Sequence, residues 1–347
     1  MNILFSHHSA VVRVTDSVER MICRNRKGRQ VIGCCVCLLY FAFASGATAA
    51  EPPITAVVFD PAGNSVIAAS QSYMTVSEWS GLRSQRRLTS TLVSIQSLTL
   101  SPDGQKLAVA GGTPAEMGLV EIRSWPKGDL LSTFAGHDDT VQSVAWIDNE
   151  TFATGSLDHE IAIWRLGLQQ PIRRFRGHSK GVTTIQVIAD GNLIVSGALD
   201  QNIRVWDIES GEVVRTLNNH TRAVNELKLR PSSQGSGIRR LPMLASVSND
   251  RTVRLWQPTI GRLVRFCRLD AIPLSMTWST QGDWLAVACD DGIVRVVRPD
   301  TMEVSANVSV SDSWLYSIQV HPSDGSLAVG SREQQLQRLT EDELLGK

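Results

Sequence analysis

The stretch that decides the fold reads GHDDTVQSVAWIDNETFATGSLDHEIAIWRL at 136–166 and recurs as GHSKGVTTIQVIADGNLIVSGALDQNIRVWD at 177–207. Each copy opens with Gly-His, continues with two short apolar segments joined by a turn, and ends with an Asp followed six residues later by a Trp. His137 and His178 are 41 residues apart, and the two tryptophans are 42 residues apart. A period of this length predicts a repeat architecture in which neighbouring copies stack on one another.

The same pattern continues on both sides of this stretch. Short segments of Pro, Gly, Asp, Asn and Ser join pairs of apolar runs, and Pro and Gly provide the fixed or positive φ that turns require. Seven such turns lie at 60–63, 101–104, 148–150, 189–191, 231–242, 280–283 and 322–325. We therefore predict seven units of about four short strands each.

These units predict an all-β fold. A four-stranded unit cannot bury both faces alone, whereas units arranged around an axis cover one another and leave only short edges. The prediction is a seven-bladed β-propeller of four-stranded antiparallel blades over residues 51–347. The seventh unit offers three strands, at 316–320, 326–330 and 336–339. We expect its outer strand to come from 49–54 or from the tail at 342–347, and to be short and poorly paired.

The charge balance argues against a nucleic-acid partner. Lys+Arg and Asp+Glu both number 34 in 347 residues, so the formal net charge is zero, and 42% of the residues are hydrophobic. These values are ordinary for a globular chain with a full core. A protein that binds nucleic acid usually shows a basic excess or a basic stripe, and this chain shows neither.

The N-terminal region has the order of a secretory signal peptide. A basic cluster at 24–29 precedes an apolar run at 31–44, and small residues with an Ala-Thr-Ala cleavage pattern follow at 45–50. We predict a leader over 1–50, with the signal peptide at about 21–50 and translation starting at Met21. The mature protein would be secreted or periplasmic. The alternative is an uncleaved membrane anchor, although the apolar run is shorter than the roughly 20 residues that a membrane span needs.

The mature chain keeps two of the six cysteines, Cys267 and Cys289. In an oxidising compartment they could form a disulfide bond. Because they fall in different repeats, we favour two buried free thiols that behave as small apolar residues.

The chain resembles the WD-repeat β-propeller family. The resemblance rests on the Gly-His pairs at 136–137 and 177–178, on Val-Trp-Asp at 205–207, and on the variants at 163–165 and 255–257. It covers about 51–347 and is most specific in the middle three units. It implies a rigid ring that acts as a protein-interaction platform, with no cofactor and no catalytic site, and with a chain that we expect to be monomeric.

The resemblance also implies a hydrogen-bonded set of His, Ser or Thr, Asp and Trp inside a blade. The matching sets are His137, Thr154, Asp158 and Trp164; His178, Ser196, Asp200 and Trp206; and His220, Ser246, Asp250 and Trp256. A buried imidazole needs partners for both nitrogens, and a buried indole N–H needs an acceptor. The first, second, sixth and seventh units lack this His, and we expect them to rely on packing.

Two chemical interpretations of these sets compete with the structural one. Ser, His and Asp together could form a hydrolytic triad, but a set that recurs three times beside a Trp, without a G-x-S-x-G motif, is typical of structural ties. The three histidines could bind a metal, but they should lie in separate blades. We predict neither a catalytic nor a metal site.

Propeller partners, by the same resemblance, bind the face that carries the loops before the innermost strands. Small or amide side chains predominate there, at Thr55, Gln96, Gln142, Thr183 and Asn225, and Leu274 occupies the same position in the sixth unit. Trp314 and Tyr316 are the exceptions, and an aromatic pair is the kind of group that dominates interfaces. We predict partner-binding residues Trp314, Tyr316, Gln142, Thr183 and Asn225. The alternative is that Trp314 packs between blades six and seven.

The function predicted from the sequence is that of an exported, non-catalytic scaffold that binds a protein partner. The alternatives are an exported enzyme on a propeller scaffold, or an accessory subunit of a redox complex of the cell envelope. The first would need clustered carboxylates and histidines in the channel. For the second, any redox centre would belong to the partner, because no haem-attachment C-x-x-C-H motif is present.

Overall fold

The computed structural model describes residues 52–188, 192–231, 241–333 and 336–346. The chain divides into two units, Met1–Ala49 and Ala50–Lys347, and every described residue belongs to the second. The predicted leader and its cleavage site lie outside the described residues.

The second unit is a ring of seven antiparallel sheets, which confirms the predicted all-β, seven-bladed propeller. Blades one and two contain β1 Ala56–Phe59, β2 Ser65–Ser70, β3 Tyr73–Glu78, β4 Ser84–Thr89, β5 Ser94–Leu100, β6 Lys106–Thr113, β7 Met117–Ser124 and β8 Leu130–His137. Blades three and four contain β9 Val141–Trp146, β10 Thr151–Ser156, β11 Glu160–Arg165, β12 Arg173–Arg176, β13 Val182–Ile188, β14 Leu193–Ala198, β15 Ile203–Asp207 and β16 Val213–Leu217. Blades five, six and seven contain β17 Val224–Leu229, β18 Leu244–Ser248, β19 Thr252–Gln257, β20 Arg262–Arg268, β21 Pro273–Trp278, β22 Leu285–Cys289, β23 Ile293–Val297, β24 Val304–Ser309, β25 Leu315–Val320, β26 Leu327–Ser331 and β27 Leu336–Leu339, and α1 Glu341–Leu345 follows.

Burial falls from the second strand of a blade to its outer strand. Every residue of β10 is buried, because neighbouring blades cover both faces of that strand. In β16, by contrast, only Leu217 is buried. The sequence follows this gradient, with apolar second strands and polar outer strands. Side chains of adjacent blades form the core between them, as where Ile163 and Phe175 of blade three meet Ile185 and Trp206 of blade four.

The seventh blade differs from the predicted arrangement. Its sheet contains three strands among the described residues, in the order β25-β26-β27. The predicted contribution of the tail as an outer strand is wrong, because 341–345 form α1. Thr340 caps this helix in a capping box with Glu343, and Leu344 is buried against blade six beside Val308. The described part of the other predicted source, 52–54, is not in a strand, and 49–51 lie outside the described residues.

Side chains join blade seven to blade one. His321 Nε2 donates to the carbonyl of Gly63, at 2.9 Å. The His321 ring stacks on Trp79, with ring centroids 5.7 Å apart, and meets the edge of Phe59 at 5.1 Å. Next to the channel, Ser317 Oγ donates to the Ile54 carbonyl at 3.3 Å. This group of contacts closes the ring between residues more than 250 positions apart in sequence.

Both cysteines of the second unit are free, as we favoured, but only Cys289 is buried, whereas Cys267 is partly exposed. Burial raises the pKa of Cys267 to about 11 and that of Cys289 to about 12. Both thiols are therefore protonated and unreactive near neutral pH. No helix among the described residues is long and apolar enough to cross a membrane.

Candidate functional site: the channel mouth

The innermost strands of the seven blades surround a central cavity of about 250 Å³. In six blades a β-bulge falls near the start of the innermost strand, at its second residue in blades three to seven and at its third in blade two. In blade three, for example, Val141 pairs with Ser156 and Ser143 pairs with Gly155, so Gln142 has no partner in the register. A bulge turns one extra side chain away from the regular pleat. The bulged residues all line the cavity, and they are Gln96, Gln142, Thr183, Asn225, Leu274 and Tyr316.

Three of the mouth side chains link neighbouring blades. Thr55 Oγ1 donates to the Ile95 carbonyl at 2.7 Å, and Thr183 Oγ1 donates to the Val224 carbonyl at 2.6 Å. Asn225 Nδ2 donates to the Pro273 carbonyl at 2.7 Å. Each donor is a bulged residue, or the equivalent residue of blade one. Each acceptor is the residue just before the bulge in the next innermost strand. These side chains thus fix the shape of the mouth that they line.

A second ring of bonds lies one residue deeper. Ser143 Oγ accepts the N–H of Ile185 at 3.1 Å, and Thr184 Oγ1 accepts the N–H of Leu227 at 3.2 Å. Ser97 and Ser275 make equivalent bonds to the next blade. A hydroxyl at this position therefore holds successive innermost strands at a constant offset.

Glu226 replaces the hydroxyl in blade five, and our sequence analysis missed it. Its Oε2 accepts from the Met276 N–H at 2.6 Å and from Ser275 Oγ at 2.8 Å, while its Oε1 lies 3.2 Å from Lys228 Nζ. Glu226 and Lys228 are the charged side chains among the described residues that line the cavity. Aligning the innermost strands by the repeat period would have exposed this exception, because Ser, Thr or Ala occupies the same position in the other blades.

Trp314 and Tyr316 are neighbours at the mouth. Their ring centroids are 5.9 Å apart, with the planes inclined at 50°. Tyr316 lines the cavity, whereas Trp314 remains 39% exposed. The carbonyl of Trp314 accepts from the Arg332 N–H at 2.9 Å, which holds the loop while leaving the indole at the surface. A large, rigid and exposed aromatic side chain therefore stands beside a polar channel.

Within blades three, four and five the structure brings the four-residue sets together. His178 Nδ1 lies 3.0 Å from Asp200, His178 Nε2 lies 2.7 Å from Ser196 Oγ, and Trp206 Nε1 donates to the same oxygen at 2.7 Å. The other two sets repeat this geometry, with the distances to Asp158 and Asp250 at 2.7 and 2.8 Å. One hydroxyl thus serves both the imidazole and the indole.

The electrostatics of these sets fix their protonation. Burial raises the pKa of Asp250, but hydrogen bonds from His220 and Thr252 outweigh it and hold that pKa well below its usual range. The pKa values of Asp158 and Asp200 are lowered in the same way. Burial lowers the pKa of His220, so this imidazole is neutral and donates through Nδ1. The Ser246 proton is then directed to His220 Nε2, and the hydroxyl is fully buried.

Such a hydroxyl cannot act as a nucleophile, because no substrate can reach it. Thr154, Ser196 and Ser246 are all fully buried. No group of three or more His, Cys, Asp or Glu side chains placed to hold a metal occurs in the described parts of the chain. The arrangement ties strands together and leaves the channel mouth as the candidate functional site.

The expectation that blades without this His rely on packing alone is wrong for blades two and six. In blade two, Arg123 occupies the strand position of the Trp and forms a buried ion pair with Glu121, at 2.7 Å. In blade six, Arg295 forms two hydrogen bonds to Asp291, at 2.9 and 2.6 Å. Arginine–carboxylate pairs thus replace the His-containing set, a substitution that the missing His could not reveal.

Comparison with known proteins agrees with this geometry. The WD40 family (WD domain, G-beta repeat) matches the chain at 128–165, 169–207, 211–257 and 269–297. Coatomer subunit beta'-2 of Oryza sativa subsp. japonica is 37% identical over 71 residues, which are 20% of this chain and 8% of that protein. The ribosome biogenesis protein WDR12 homolog of Drosophila persimilis is 29% identical over 87 residues, 22% of this chain and 21% of that protein.

These similarities are local. The probable coatomer subunit beta' of Caenorhabditis elegans, 36% identical over 67 residues, is also matched over only 7% of its length. The chain thus spans less than a quarter of each relative named here. The family matches extend from β8 of blade two to β23 of blade six, and they include the four-residue sets and the charged pair of blade six. The chain carries WD40 repeats within a seven-bladed β-propeller.

Proposed function

We propose that this protein is an exported, non-catalytic scaffold whose channel mouth binds a protein partner. The observation that carries the proposal is the exposed Trp314 beside Tyr316 at the rim of a polar cavity. Exposed Trp and Tyr side chains dominate binding energy in many interfaces, because they bury a large area with few torsions to fix. The inter-blade bonds of Thr183 and Asn225 hold the surroundings rigid, which lowers the entropy lost on binding.

Two further observations favour a scaffold over an enzyme. The buried hydroxyls of the four-residue sets leave no accessible nucleophile in them. A coatomer subunit is by its name a component of an assembly, and this chain is similar to part of one. We infer that the ring serves as a platform in a larger complex.

Export rests on the leader. The basic cluster, the short apolar run and the small residues before Glu51 have the order of a signal peptide. Fractionation of cells that produce the full chain tests this, together with N-terminal sequencing of the product. We expect an exported protein that begins at Ala50 or Glu51. A product that retains 21–50 and stays with the cytoplasm would contradict export.

Partner binding is tested by affinity purification with two variants, each of which lacks one exposed hydrophobic side chain. Trp314→Ala removes the exposed indole, and Leu131→Ala removes a side chain that is also exposed but lies on β8 of blade two. We expect wild type and Leu131→Ala to retain a stoichiometric partner that Trp314→Ala loses at an unchanged melting temperature. Retention of the partner by Trp314→Ala, with a lowered melting temperature, would show instead that the indole only packs between blades.

A further inference from the structure

The outer strand of blade five carries a row of arginines without acidic partners. Arg262, Arg265 and Arg268 in β20 are all exposed, and none forms an ion pair within the described residues. Asp270 contacts neighbouring Arg251 through its carbonyl oxygen, at 3.4 Å. The segment 232–240 contains no Asp or Glu in its sequence, so it cannot neutralise them either.

The outer strand of blade three shows the opposite arrangement. Its Arg174 and Arg176 both pair with Glu160, at 3.0 and 2.6 Å. Two of the three arginines of β12 are therefore engaged by their own blade, whereas the three of β20 are available to a partner. Since the whole chain has no net charge, this row is a local excess.

An exposed aromatic ring lies within the row. Phe266 is 55% exposed and pairs across the strands with Arg254, whose guanidinium carbon is 5.1 Å from the ring centroid. Arg254 is itself held by Thr252 Oγ1, at 3.0 Å. The ring is thus kept at the surface by a cation–π contact. An apolar side chain of a partner could cover it.

The row continues onto the preceding turn. The Leu269 N–H donates to the Arg251 carbonyl at 2.8 Å, and Thr252 pairs with Arg268, so Arg251 stands beside the end of β20. We call Arg251, Arg265, Phe266 and Arg268 the basic patch. Because β20 is the last strand of its sheet, its outer main-chain edge faces away from the blade.

We propose that the basic patch binds an acidic, extended segment of a partner protein. Carboxylates form strong, directional hydrogen bonds with guanidinium groups, and an extended chain can add to an open strand edge through main-chain bonds. In the strand register Arg265 pairs with Leu255 and Arg268 pairs with Thr252, so the two side chains lie on opposite faces of the sheet, one on each side of its open edge. An extended chain at that edge, rising about 3.3 Å per residue, can reach both arginines, whereas a flat membrane cannot. Their like charges also disfavour pairing with β20 of a second copy.

A defined peptide tests this proposal. The probe is a fluorescein-labelled ten-residue peptide, Glu-Glu-Val repeated three times and ended by Glu, so that both faces of the extended chain carry carboxylates. Its neutral counterpart has Ser in place of Glu. We expect wild-type protein to raise the anisotropy of the acidic peptide alone, and the affinity to fall as NaCl rises from about 50 to 300 mM. Equal binding of the neutral peptide would overturn the proposal.

Two double variants with the same change in net charge locate the site. Arg265→Glu with Arg268→Glu reverses the patch, while Arg165→Glu with Arg173→Glu reverses two exposed arginines of blade three. We expect the first to weaken peptide binding at least about tenfold, since two ion pairs become repulsive, and the second to change it less than about twofold. If both double variants melted like wild type and lost peptide affinity equally, the attraction would be non-specific and the proposal would be overturned.

Two further controls complete the test. One distinguishes the basic patch from the channel mouth, and the other compares the acidic peptide with other polyanions. Trp314→Ala should leave peptide affinity unchanged, so the patch and the proposed function can fail independently. Vesicles of phosphatidylglycerol and an oligothymidine are offered to the same variants. Tighter binding of either one than of the acidic peptide, lost in the Arg265→Glu, Arg268→Glu variant, would reassign the patch to lipid or nucleic acid and overturn the proposal.

Discussion

At the scale of single residues, the buried Ser or Thr hydroxyl is the centre of the four-residue set in each of blades three, four and five. Ser196 Oγ accepts from Trp206 and lies within hydrogen-bond distance of His178 Nε2, so two large side chains depend on one small one. The carboxylate of Asp200 holds the other imidazole nitrogen and also accepts from the Ser179 N–H. All polar groups of the set are thereby satisfied inside the blade, which is the condition for burying them.

Removing that hydroxyl should be costly. In Ser196→Ala, the buried His178 Nε2 and Trp206 Nε1 lose their partner, so we expect a loss of about 2–4 kcal/mol in the free energy of unfolding. Denaturant titration measures it. Ser179→Ala is the control, because that side chain is exposed and its N–H bond to Asp200 is kept. Equal effects of the two substitutions would contradict the central role of the hydroxyl.

The lowered pKa of His220 predicts a pH dependence of stability. Burial is its main cause and Arg254 adds to it, while Asp250 opposes both. The unfolded chain takes up a proton below its ordinary pKa of 6.5, and the folded chain does so only at lower pH. Stability should therefore fall as the pH falls from about 7.5 to 5. The lowered pKa of Asp250 affects stability in a separate pH range, below the ordinary Asp pKa of 3.8.

Thermal unfolding of wild type and His220→Asn across pH 7.5 to 5 isolates this contribution. We expect the variant to be less stable at pH 7.5 but to show a shallower decline with acidity, because one titrating group is gone. Parallel curves for the two proteins would show that His220 does not contribute.

The sequence could assign individual residues only where the repeat keeps them in register. Thr154, Asp158 and Trp164 have counterparts at the same spacing in three units, each preceded by a His, and the structure brings each set together. Glu226 and His321 have no counterpart in other units, and their partners depend on the angle between blades. Pairing His321 with Gly63 required the closed ring, because no local pattern connects positions so far apart.

At the scale of strands, blades replace one kind of tie with another. Glu121 in β7 accepts from the Thr91 N–H at 2.7 Å and from Arg123 Nε at 2.8 Å, and Arg123 Nη2 donates to the Thr89 carbonyl at 2.7 Å. These bonds connect the end of blade one to blade two. The carboxylate is fully buried, so each of its partners matters to its ionised state.

Glu121→Ala should therefore destabilise the protein far more than a surface substitution. It leaves the buried Arg123 without its counter-charge, and breaking a buried pair in this way costs about 3–5 kcal/mol. The matched control is Glu160→Ala, which breaks two pairs to exposed arginines of β12 and should cost less than about 1 kcal/mol per pair. Chemical unfolding compares them, and similar losses would contradict the burial argument.

Strand positions were predictable because apolar runs and turn residues alternate along the chain. Runs such as 65–70, 106–111 and 224–229 coincide with or lie within β2, β6 and β17. The C-terminal helix was missed, although Thr340 followed by Glu343 is a capping-box signal. The expectation of a closing strand outweighed that local pattern.

At the scale of the whole molecule, the ring is closed by packing between blades seven and one. Gly63 lies at φ +77°, and a Cβ there would stand 2.3 Å from His321 Nε2. The close approach lets His321 reach both the Gly63 carbonyl and the Trp79 ring. Ring closure thus depends on the absence of one side chain.

Two glycine substitutions separate this contact from ordinary backbone strain. Gly167 has a similar φ of +84° with no atom near its would-be Cβ, so Gly167→Ala reports the conformational cost alone, about 1 kcal/mol. Gly63→Ala should cost at least about 2 kcal/mol more, because it also displaces His321. Melting temperatures of both variants check this, and equal values would mean that the His321 contact does not hold the ring.

The number of blades could be predicted by counting repeats. For the channel, the sequence could predict lining residues but not the contacts that they make. The bulges that turn Gln142, Thr183 and Asn225 into the cavity depend on strand pairing across each blade. The sequence shows which residues begin the innermost strands. It does not show that Thr183 and Asn225 bond to the next blade, or that Glu226 and Lys228 charge the channel.

The repeats build a rigid frame, and we propose that a partner binds where the channel opens. Hydrogen–deuterium exchange of the protein, alone and with its affinity-purified partner, tests this most directly. We predict added protection in the loop and strand at 310–319 and in the first residues of the other innermost strands, with the outer strand of blade three unchanged. Protection confined to the outer strands, with no change at 310–319, would contradict the account.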